Sequence, residues 1–487
     1  MLRYALVVTG VTLHAALHVM FNAEVPEAFM DEVFHFPLTA SFCSGDWSAW
    51  HPKVTTPPGL YVLGAAFSEL HGIGTASATR ACGLSMLRGL NSLLAIATIY
   101  VLAALLRELH PSMTPLRALL GACALGALPT HFFFSFVWYT DVGSLFLVLV
   151  AYLMALRRCY WTSAAVSCAA LTFRQTNGVW AAYILGDAAL RALGQQHGAV
   201  DLSDWSVAGV ARSVAAVVPG AVRTAKSRAA LAKLLPLGIP IGALAAFVKW
   251  NGGRIALGDV ANHTPVLHFA QLAYFIAFAA AFRAPLLLSA LRELYRALRT
   301  ARGCRTAAAA LLLLAAAVQY GTFDHPFTLS DNRHYTFYVW RRVLGRGAGV
   351  RLALVPAYAL ALWLVRHALL VRPRARSAAE EEEEEEEEIH MMQTQARKQR
   401  ATTIPSPLIV LGLALCTAAV LIPARLIEPR YFTVPWMLLQ LHAGFGSSRA
   451  HVLAPLYLFA FVNAATLYLF LCRSYTWPDG STARFMW

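Results

Sequence analysis

Charged residues are scarce in this chain. Asp, Glu, Lys and Arg make up only 14% of its 487 residues, whereas 58% of the residues are hydrophobic. Soluble domains usually carry about 25% charged and about 45–50% apolar residues, so the composition excludes an ordinary soluble domain. Short segments of alternating hydrophobicity, which build transmembrane barrels, are missing as well. The long Leu, Ala and Val runs predict an all-α polytopic membrane protein, because a helix satisfies its own backbone hydrogen bonds in lipid.

Motifs for metals and nucleotides are also missing. The eight cysteines show no CxxC and no Cys/His spacing for a metal. Most of them lie in or beside apolar segments, where we expect small core residues; Cys43 lies in a polar loop and has no evident partner. There is no P-loop and no strand-linked GxGxxG. We therefore expect no metal and no cofactor. If the protein is a transferase, its donor should be carried by a lipid and arrive through the bilayer.

The excess of basic residues does not indicate a nucleic-acid partner. The formal net charge is +14, but the Lys and Arg residues lie in short loops between apolar segments. Cytosolic loops of membrane proteins carry such an excess, so the positive-inside rule explains the charge.

The apolar runs predict about a dozen membrane spans, each needing roughly 20 residues. The predicted segments are a first transmembrane helix (1–22), a lumenal catalytic loop (23–57), transmembrane helices (58–193), a basic amphipathic cytosolic segment (194–230), transmembrane helices with a polar loop at 322–342 (231–371), an acidic cytosolic loop (372–403), C-terminal transmembrane helices (404–472) and a tail (473–487). The acidic loop contains nine consecutive glutamates, Glu380–Glu388. Like charges repel, so this loop should be disordered, either as an interaction tail or as a tolerated insertion.

A polar loop follows the first apolar run and contains Asp31, Glu32, His35, His51 and Lys53. A carboxylate at the edge of a membrane is costly and therefore indicates function. It can serve as a general base that accepts a proton from an attacking hydroxyl. A solvated loop carboxylate, or a charge at a helix N-terminus, would explain the pair equally well.

Three further polar clusters interrupt the apolar sequence. They are Asn332–Arg333–His334, Glu428 with Arg430, and Arg174–Gln175. Arginine forks suit phosphate oxygens, and neighbouring aromatic residues suit a sugar or the membrane interface. The alternatives are surface ion pairs and contacts between helices. Arg341 and Arg342 belong to the phosphate cluster or form a cytosolic stop, depending on where a span begins.

Six segments of the sequence together resemble one family. The segments are MDEVFHFPLTASFC, HPKVTTPPGLY, FRQTN, LSDNRHYTFYVWRR, LIEPRYF and the closing DGSTARFMW. They resemble the dolichyl-phosphate-glucose alpha-1,2-glucosyltransferase family of the endoplasmic reticulum. The segments run in order from residue 30 to the C-terminus, whereas the glutamate run and the 194–230 segment are not part of any of these motifs.

The resemblance implies a GT-C glycosyltransferase fold with roughly 12–14 transmembrane helices and lumenal catalytic loops in the endoplasmic reticulum membrane. It also implies a membrane-bound donor, dolichyl-phosphate glucose, and an acceptor, the diglucosylated dolichyl-diphosphate-linked oligosaccharide. The donor sugar is beta-linked and the product alpha-linked, so the anomeric centre is inverted. One base on the attacking 2-hydroxyl then suffices, and the phosphate leaving group needs charge stabilisation more than a general acid.

The resemblance favours Asp31 as the base, with Glu32 as the alternative or as an acceptor-orienting residue. Candidate ligands of the donor phosphate or sugar are Arg333, His334, Asn332, Arg430, Glu428 and Lys53. Candidate positioning residues for the acceptor or the loops are His35, His51, Arg174 and Gln175. No metal ligand is implied.

Two other functions are compatible with parts of this pattern. Another GT-C transferase, such as a mannosyltransferase, would share the fold and the base. A secondary transporter is disfavoured because no inverted repeat is evident and the polar clusters fall mainly at segment ends.

Overall fold

The fold is that of a computed structural model, which describes residues 2–72, 82–194, 209–213, 215, 224–284, 290–370, 406–445 and 450–487. The predicted acidic loop over 372–403 lies outside the described residues, and so does much of the predicted basic segment over 194–230. The described residues are almost entirely helical. The prediction of an all-α polytopic membrane protein is confirmed, and the fold is consistent with the GT-C fold that the resemblance implies.

The helices of the first half are α1 (Leu2–Glu24), α2 (Glu32–Cys43), α3 (Gly59–Gly72), α4 (Leu84–Leu109), α5 (Pro115–Gly126), α6 (Pro129–Phe134), α7 (Thr140–Leu156), α8 (Tyr160–Phe173), α9 (Asn177–Gly194), α10 (Ala225–Ala232) and α11 (Ile239–Trp250). Those of the second half are α12 (Ala270–Ala281), α13 (Ala290–Leu298), α14 (Ala301–Tyr320), α15 (Pro326–Ser330), α16 (Tyr335–Arg342), α17 (Ala348–Ala353), α18 (Val355–Leu370), α19 (Pro407–Leu421), α20 (Thr433–Ala443) and α21 (Ala450–Cys472). Short 3-10 turns occur at Leu235–Gly238, Val260–His263, Leu344–Arg346 and Pro429–Phe432. A two-stranded antiparallel sheet, β1 (Tyr475–Thr476) and β2 (Thr482–Ala483), follows the last helix.

Several helices are long and apolar enough to cross a membrane. Among the described residues there are four: Leu84–Leu109, Ala301–Tyr320, Ala348–Leu369 and Ala450–Cys472. A bent pair over Ala225–Ala232 and Leu235–Trp250 makes a fifth if the two parts form one span. Five further helices are apolar but shorter. The predicted number of roughly 12–14 spans and the predicted segment boundaries stay predictions.

Proline and hydroxyl side chains set several helix starts. Pro115 and Pro407 open α5 and α19, where the missing N–H would have had no helical partner. The Thr114 hydroxyl accepts a hydrogen bond from Arg117 N at 3.4 Å, and the Ser406 hydroxyl accepts one from Leu408 N at 3.3 Å. Such caps satisfy the free amides of the first turn. The largest core cluster lies between α4, α5, α7, α9 and α20, and the interhelical loops at one end of this bundle carry most of the predicted site residues.

Two cysteines form a disulfide that the sequence did not reveal. Cys43, at the end of α2, is bonded to Cys82, which lies just before α4, across a separation of 39 residues. The expectations that Cys43 has no evident partner and that Cys82 is a plain core residue are therefore wrong. The two residues lie far apart in sequence, and only the packing of α2 beside α3 brings them together.

We expect that reduction of this disulfide destabilises the protein. A cross-link that closes a loop of this length typically contributes about 2–4 kcal/mol to the free energy of unfolding. The variant Cys43→Ser should therefore unfold at a lower temperature than the wild type in the same detergent. The matched control is Cys304→Ser, because Cys304 is an exposed free cysteine. Equal melting temperatures for Cys43→Ser and wild type would contradict the assignment.

Candidate active site

A cavity of about 680 Å³ opens between the interhelical loops at one face of the bundle. Several separate stretches of the chain contribute to it: the start of α2, the loop around Lys53, the turn before α7, the turn after α8, the 3-10 turn near residue 260, residues 327–336, residues 426–431 and the C-terminal tail. Its charged and histidine lining residues are Asp31, His35, Lys53, Arg174, Asp259, His263, Asp331, Arg333, His334, Glu428 and Arg430. The predicted clusters from distant parts of the sequence thus meet at one place.

The Asp31 carboxylate faces this cavity. Its side chain is 38% exposed, and Oδ2 lies 3.3 Å from Arg430 Nη1. The backbone N–H of Asp31 donates to the Tyr139 hydroxyl at 2.9 Å. Its carbonyl accepts the N–H groups of Phe34 and His35 at 3.0 Å and so begins α2. The backbone contacts thereby fix a carboxylate that stays partly exposed to the cavity beside Arg430.

The Glu32 carboxylate points the opposite way, into the protein. It is completely buried and forms an ion pair with Arg88, which is also completely buried. Glu32 Oε1 accepts from Arg88 Nε at 2.9 Å and from Trp138 N at 2.6 Å, and Oε2 accepts from Phe29 N at 3.0 Å. Arg88 also donates to the carbonyls of Val25 and Glu27. Glu32 does not line the cavity; its contacts fix the turn that carries Asp31.

Arg430 joins three carboxylates at one wall of the cavity. Its Nε donates to Glu428, and its Nη1 lies 3.8 Å from Asp141 Oδ2 in addition to the contact with Asp31. Arg174 forms a second ion pair with Asp141 at 3.1 Å. Burial alone would raise the pKa of Glu428, but the charge and the hydrogen bond of Arg430 outweigh it and lower this pKa below its usual value. Glu428 therefore stays ionised, and the ion pairs orient both guanidinium groups.

Arg333 and His334 line a further part of the cavity wall. Arg333 Nε and Nη2 donate to the two carboxylate oxygens of Asp331 at 2.8 Å each. The guanidinium also lies 4.5 Å over the ring of Trp477 in the tail. Burial would raise the pKa of Asp331, but the hydrogen bonds from Arg333 and the proximity of His334 lower it instead. His334 Nδ1 hydrogen-bonds the carbonyl of the last residue, Trp487, at 2.9 Å.

The C-terminal tail is part of this wall. The backbone N–H of Met486 donates to the Arg333 carbonyl at 2.9 Å, and Tyr335 N donates to the Met486 carbonyl at 3.2 Å. Asn332 does not line the cavity. Its Oδ1 accepts hydrogen bonds from the Tyr475 hydroxyl at 2.9 Å and from Trp477 Nε1 at 3.0 Å. Asn332 thus fastens the tail to the segment that carries Arg333 and His334.

The remaining predicted residues differ in their access to the cavity. His35 lines it and hydrogen-bonds the Tyr61 hydroxyl at 2.8 Å; burial lowers the pKa of His35 to about 4, so the ring is neutral at physiological pH. Lys53 lines it as well, with Nζ 5.4 Å over the Phe34 ring. His51 does not, and its Nδ1 accepts from Lys53 N at 3.2 Å.

Gln175 clamps the loop that carries Lys53. Its Nε2 donates to the carbonyls of Thr55 at 2.7 Å and Ile255 at 3.0 Å. Backbone bonds from Leu257 N to Thr55 O at 3.1 Å and from Asp259 N to Pro52 O at 2.9 Å hold the same loop. The predicted positioning role of Gln175 is compatible with these contacts, which act on the loop and not on a ligand.

The sequence did not single out several residues of the site. Asp141, Asp331, Tyr139 and Trp477 touch the predicted arginines or line the cavity. Asp141 and Tyr139 lie in FVWYTD, a polar interruption between two apolar runs. This polar interruption was the feature of the sequence that could have indicated both residues. Trp477 lies in a tail that looked like a simple terminus.

Arg341 and Arg342 lie in a short helix that is not a membrane span. Helix α16 has eight residues, which gives a length of about 12 Å at 1.5 Å per residue. The hydrocarbon core is about 30 Å thick, so this helix cannot cross it. A membrane span beginning at Tyr335 is therefore absent from the described residues, and the side on which Arg341 and Arg342 lie stays a prediction.

A bundle of apolar helices with carboxylates and cations around one cavity at its face defines a polytopic membrane enzyme. The model of the DIE2/ALG10 family matches residues 25–441, and the chain belongs to this family. It is 30% identical over 495 residues to a Mus musculus protein named Dol-P-Glc:Glc(2)Man(9)GlcNAc(2)-PP-Dol alpha-1,2-glucosyltransferase, covering 96% of this chain and 94% of that protein. Proteins of the same name from Homo sapiens and Arabidopsis thaliana are also 30% identical, over 96% and 97% of this chain. No solved structure matches the chain.

In the part of the chain that the structure describes, no group of three or more His, Cys, Asp or Glu side chains is placed to hold a metal ion. The expectation that the reaction needs neither metal nor cofactor stays a prediction.

Proposed function

We propose that this chain transfers glucose from dolichyl-phosphate glucose to the 2-hydroxyl of the terminal glucose of a diglucosylated, dolichyl-diphosphate-linked oligosaccharide. The single observation that carries this proposal is the likeness along nearly the whole chain to proteins bearing that activity in their names. The cavity supplies what the reaction needs: a partly exposed carboxylate, that of Asp31, and several cations.

In this proposal Asp31 is the general base. Inverting transfer in one displacement needs one base beside the attacking hydroxyl, and Asp31 has a cavity-facing, partly exposed carboxylate. Glu32 is the weaker candidate because its oxygens already accept four hydrogen bonds from Arg88, Trp138 and Phe29. Deprotonating a hydroxyl with Glu32 would require breaking a buried ion pair.

The donor phosphate binds between the cations of the cavity. Arg430, Arg174 and Arg333 are each paired with carboxylates. Lys53 lines the cavity without a carboxylate at ion-pair distance among the described residues. The phosphate is negatively charged, so it forms an ion pair with Lys53 that replaces no existing one. Arg333, Arg430 and His334 supply hydrogen-bond donors that are already oriented. Fixed donors aimed at developing charge are a major source of catalysis.

We expect Lys53→Gln to raise the KM for dolichyl-phosphate glucose about tenfold, because a charged hydrogen bond is worth about 1.5–3 kcal/mol. The KM for the oligosaccharide acceptor should change little. The measurement is steady-state glucosyl transfer in proteoliposomes with each substrate varied in turn.

The matched control for Lys53 is His51→Gln, two residues away and outside the cavity. It should leave the donor KM near the wild-type value. If both variants have wild-type donor KM, Lys53 does not bind the phosphate.

We infer that the cavity opens on the lumenal side of the endoplasmic reticulum membrane. The disulfide between Cys43 and Cys82 lies on the segments that carry Asp31, and disulfides persist in oxidising compartments and not in the cytosol. In sealed microsomes, a membrane-impermeant maleimide should fail to label these cysteines after reduction unless the vesicles are opened. Labelling in intact, right-side-out vesicles would place the cavity on the cytosolic side.

The function itself is tested by complementation. Cells lacking the endogenous activity should accumulate a diglucosylated precursor, and expression of this chain should convert that precursor to the triglucosylated form. A precursor that stays diglucosylated in the presence of well-inserted protein would overturn the proposal. Transfer from dolichyl-phosphate mannose in its place would identify the alternative, a mannosyltransferase of the same fold class.

A further inference from the structure

We propose that a surface formed by Arg341, Arg342 and Arg346, here called the arginine surface, binds the diphosphate of the lipid-linked acceptor. This inference rests on the proposed function and deepens it. It assigns the membrane-anchored end of the acceptor to a place outside the cavity in which the sugar is transferred.

The arginine surface lies at the level of the lipid headgroups. The span Ala301–Tyr320 ends before the segment that lines the cavity, and the next span, Ala348–Leu369, begins two residues after Arg346. Helix α16 lies between them and is too short to cross the membrane. The three guanidinium groups are therefore at the membrane interface, on the face where the cavity opens.

Among the residues that the structure describes, no carboxylate compensates the charges of this surface. Arg341, Arg342 and Arg346 are exposed. No carboxylate of the described residues lies within ion-pair distance of them, and the sequence has no Asp or Glu between Asp331 and Glu380. By contrast, every arginine that lines the cavity has a carboxylate partner. Three exposed guanidinium groups without a carboxylate partner among the described residues form a binding site for an anionic ligand.

Aromatic rings hold two of these side chains in place. The Arg341 guanidinium lies 5.8 Å from the centre of the Phe337 ring, and that of Arg342 lies 5.9 Å from the centre of the Tyr338 ring. On the buried face of α16, Trp340 packs with Leu344 and so fixes the helix. A guanidinium stacked on an aromatic ring loses less freedom on binding, and its fork fits phosphate oxygens.

The position of these arginines runs against the usual distribution of charge. Lys and Arg residues near membrane spans accumulate in cytosolic loops, whereas this cluster lies on the side of the cavity and of the disulfide between Cys43 and Cys82. A basic cluster on that side opposes the normal orientation signal. A phosphate ligand at the interface explains why the arginines lie there.

The diphosphate of the acceptor fits this surface better than the donor phosphate or a phospholipid phosphate does. The donor phosphate must lie in the cavity, next to the carbon that is transferred, and none of the three arginines lines the cavity. The acceptor in the names of the relatives is a diphosphate lipid, PP-Dol. Its charge exceeds that of a phospholipid phosphodiester, so it gains more from three unpaired arginines. The glycan can then extend from the interface into the cavity.

The test uses full-length protein in proteoliposomes made of phosphatidylcholine alone. Two acceptors carry the same diglucosylated glycan, one on a dolichyl diphosphate and one on an uncharged lipid anchor. We expect the wild type to have a KM about tenfold lower for the diphosphate acceptor, and we expect the triple variant Arg341→Gln, Arg342→Gln, Arg346→Gln to lose this difference. The KM for the donor and for the uncharged acceptor should stay unchanged.

The matched control removes three exposed arginines elsewhere: Arg292→Gln, Arg296→Gln and Arg299→Gln. These lie before the span Ala301–Tyr320, at its other end, and Arg299 is also stacked over a ring, that of Tyr295. This control should keep the wild-type preference for the diphosphate acceptor. Its loss in the control would show a general effect of charge and would overturn the proposal.

Three further outcomes are decisive. If the arginine-surface variant keeps the wild-type ratio of the two acceptor KM values, the inference is overturned and the proposed function stands. If variant and wild type differ only when phosphatidylserine is added to the vesicles, the surface binds phospholipid and the inference is again overturned. If the wild type transfers glucose to neither acceptor, the proposed function fails, and this inference fails with it.

Discussion

Replacing Asp31 by Asn should lower the rate of glucosyl transfer about 10²–10⁴-fold, the range typical of a lost general base. The substitution keeps the size of the side chain and the backbone hydrogen bond to Tyr139, so the fold should be retained. Single-turnover transfer from dolichyl-phosphate glucose measures the chemical step, and a thermal melt of the same sample measures the fold.

The matched control for Asp31 is Asp46→Asn. Asp46 lies in the same loop region, is exposed, and accepts a hydrogen bond from the Ser48 hydroxyl at 2.7 Å. This variant should transfer glucose at the wild-type rate. Near-normal turnover by Asp31→Asn would remove Asp31 from the role of base, whatever the result for its neighbour.

Replacing Glu32 by Gln should destabilise the protein by about 3–5 kcal/mol, because it leaves the charge of Arg88 buried and unpaired. Both partners are completely buried, and the pair holds the turn between α1 and α2. We expect a lower melting temperature and a smaller yield of inserted protein. Activity should fall in proportion to the folded fraction, in contrast to the folded but inactive Asp31→Asn.

Two comparisons make the Glu32 prediction specific. Adding Arg88→Met to Glu32→Gln should recover part of the lost stability, since no buried charge then remains. Glu108→Gln removes a pair with Arg157 whose side chains are 37% and 48% exposed, and it should cost at most about 1 kcal/mol. A Glu32→Gln protein that melts with the wild type and transfers no glucose would reverse the roles assigned to the two carboxylates.

Asp31 and Glu32 are neighbours in the sequence but lie in different environments, because helix α2 begins between them. The sequence offers Asp31 and Glu32 as an equivalent pair. In the structure Asp31 precedes the first residue of α2, and successive side chains on a helix diverge by about 100° at 3.6 residues per turn. One carboxylate therefore faces the cavity and the other faces Arg88, 56 residues further along the chain. Nothing in the local sequence specifies that distant partner.

Composition by itself determined that this chain is a helical membrane protein, since lipid penalises charge and unpaired backbone groups wherever they occur. Local polar interruptions determined most of the candidate residues, including Asp31, Arg174, Arg333 and Arg430, because polar groups among apolar runs must serve a purpose or find partners. The segments quoted above, taken together, indicated the family. These properties can be read one segment at a time.

Only the tertiary structure decided which of those residues share a cavity. The pairing of Cys43 with Cys82, the contact of Asp141 with Arg174 and Arg430, and the closing of the wall by the tail all join segments that are distant in the chain. Such contacts depend on how the helices pack against one another. The sequence of a segment does not specify which other segment it will contact across the bundle. For this reason the sequence predicted the site residues one segment at a time, and only the fold showed which of them lie together.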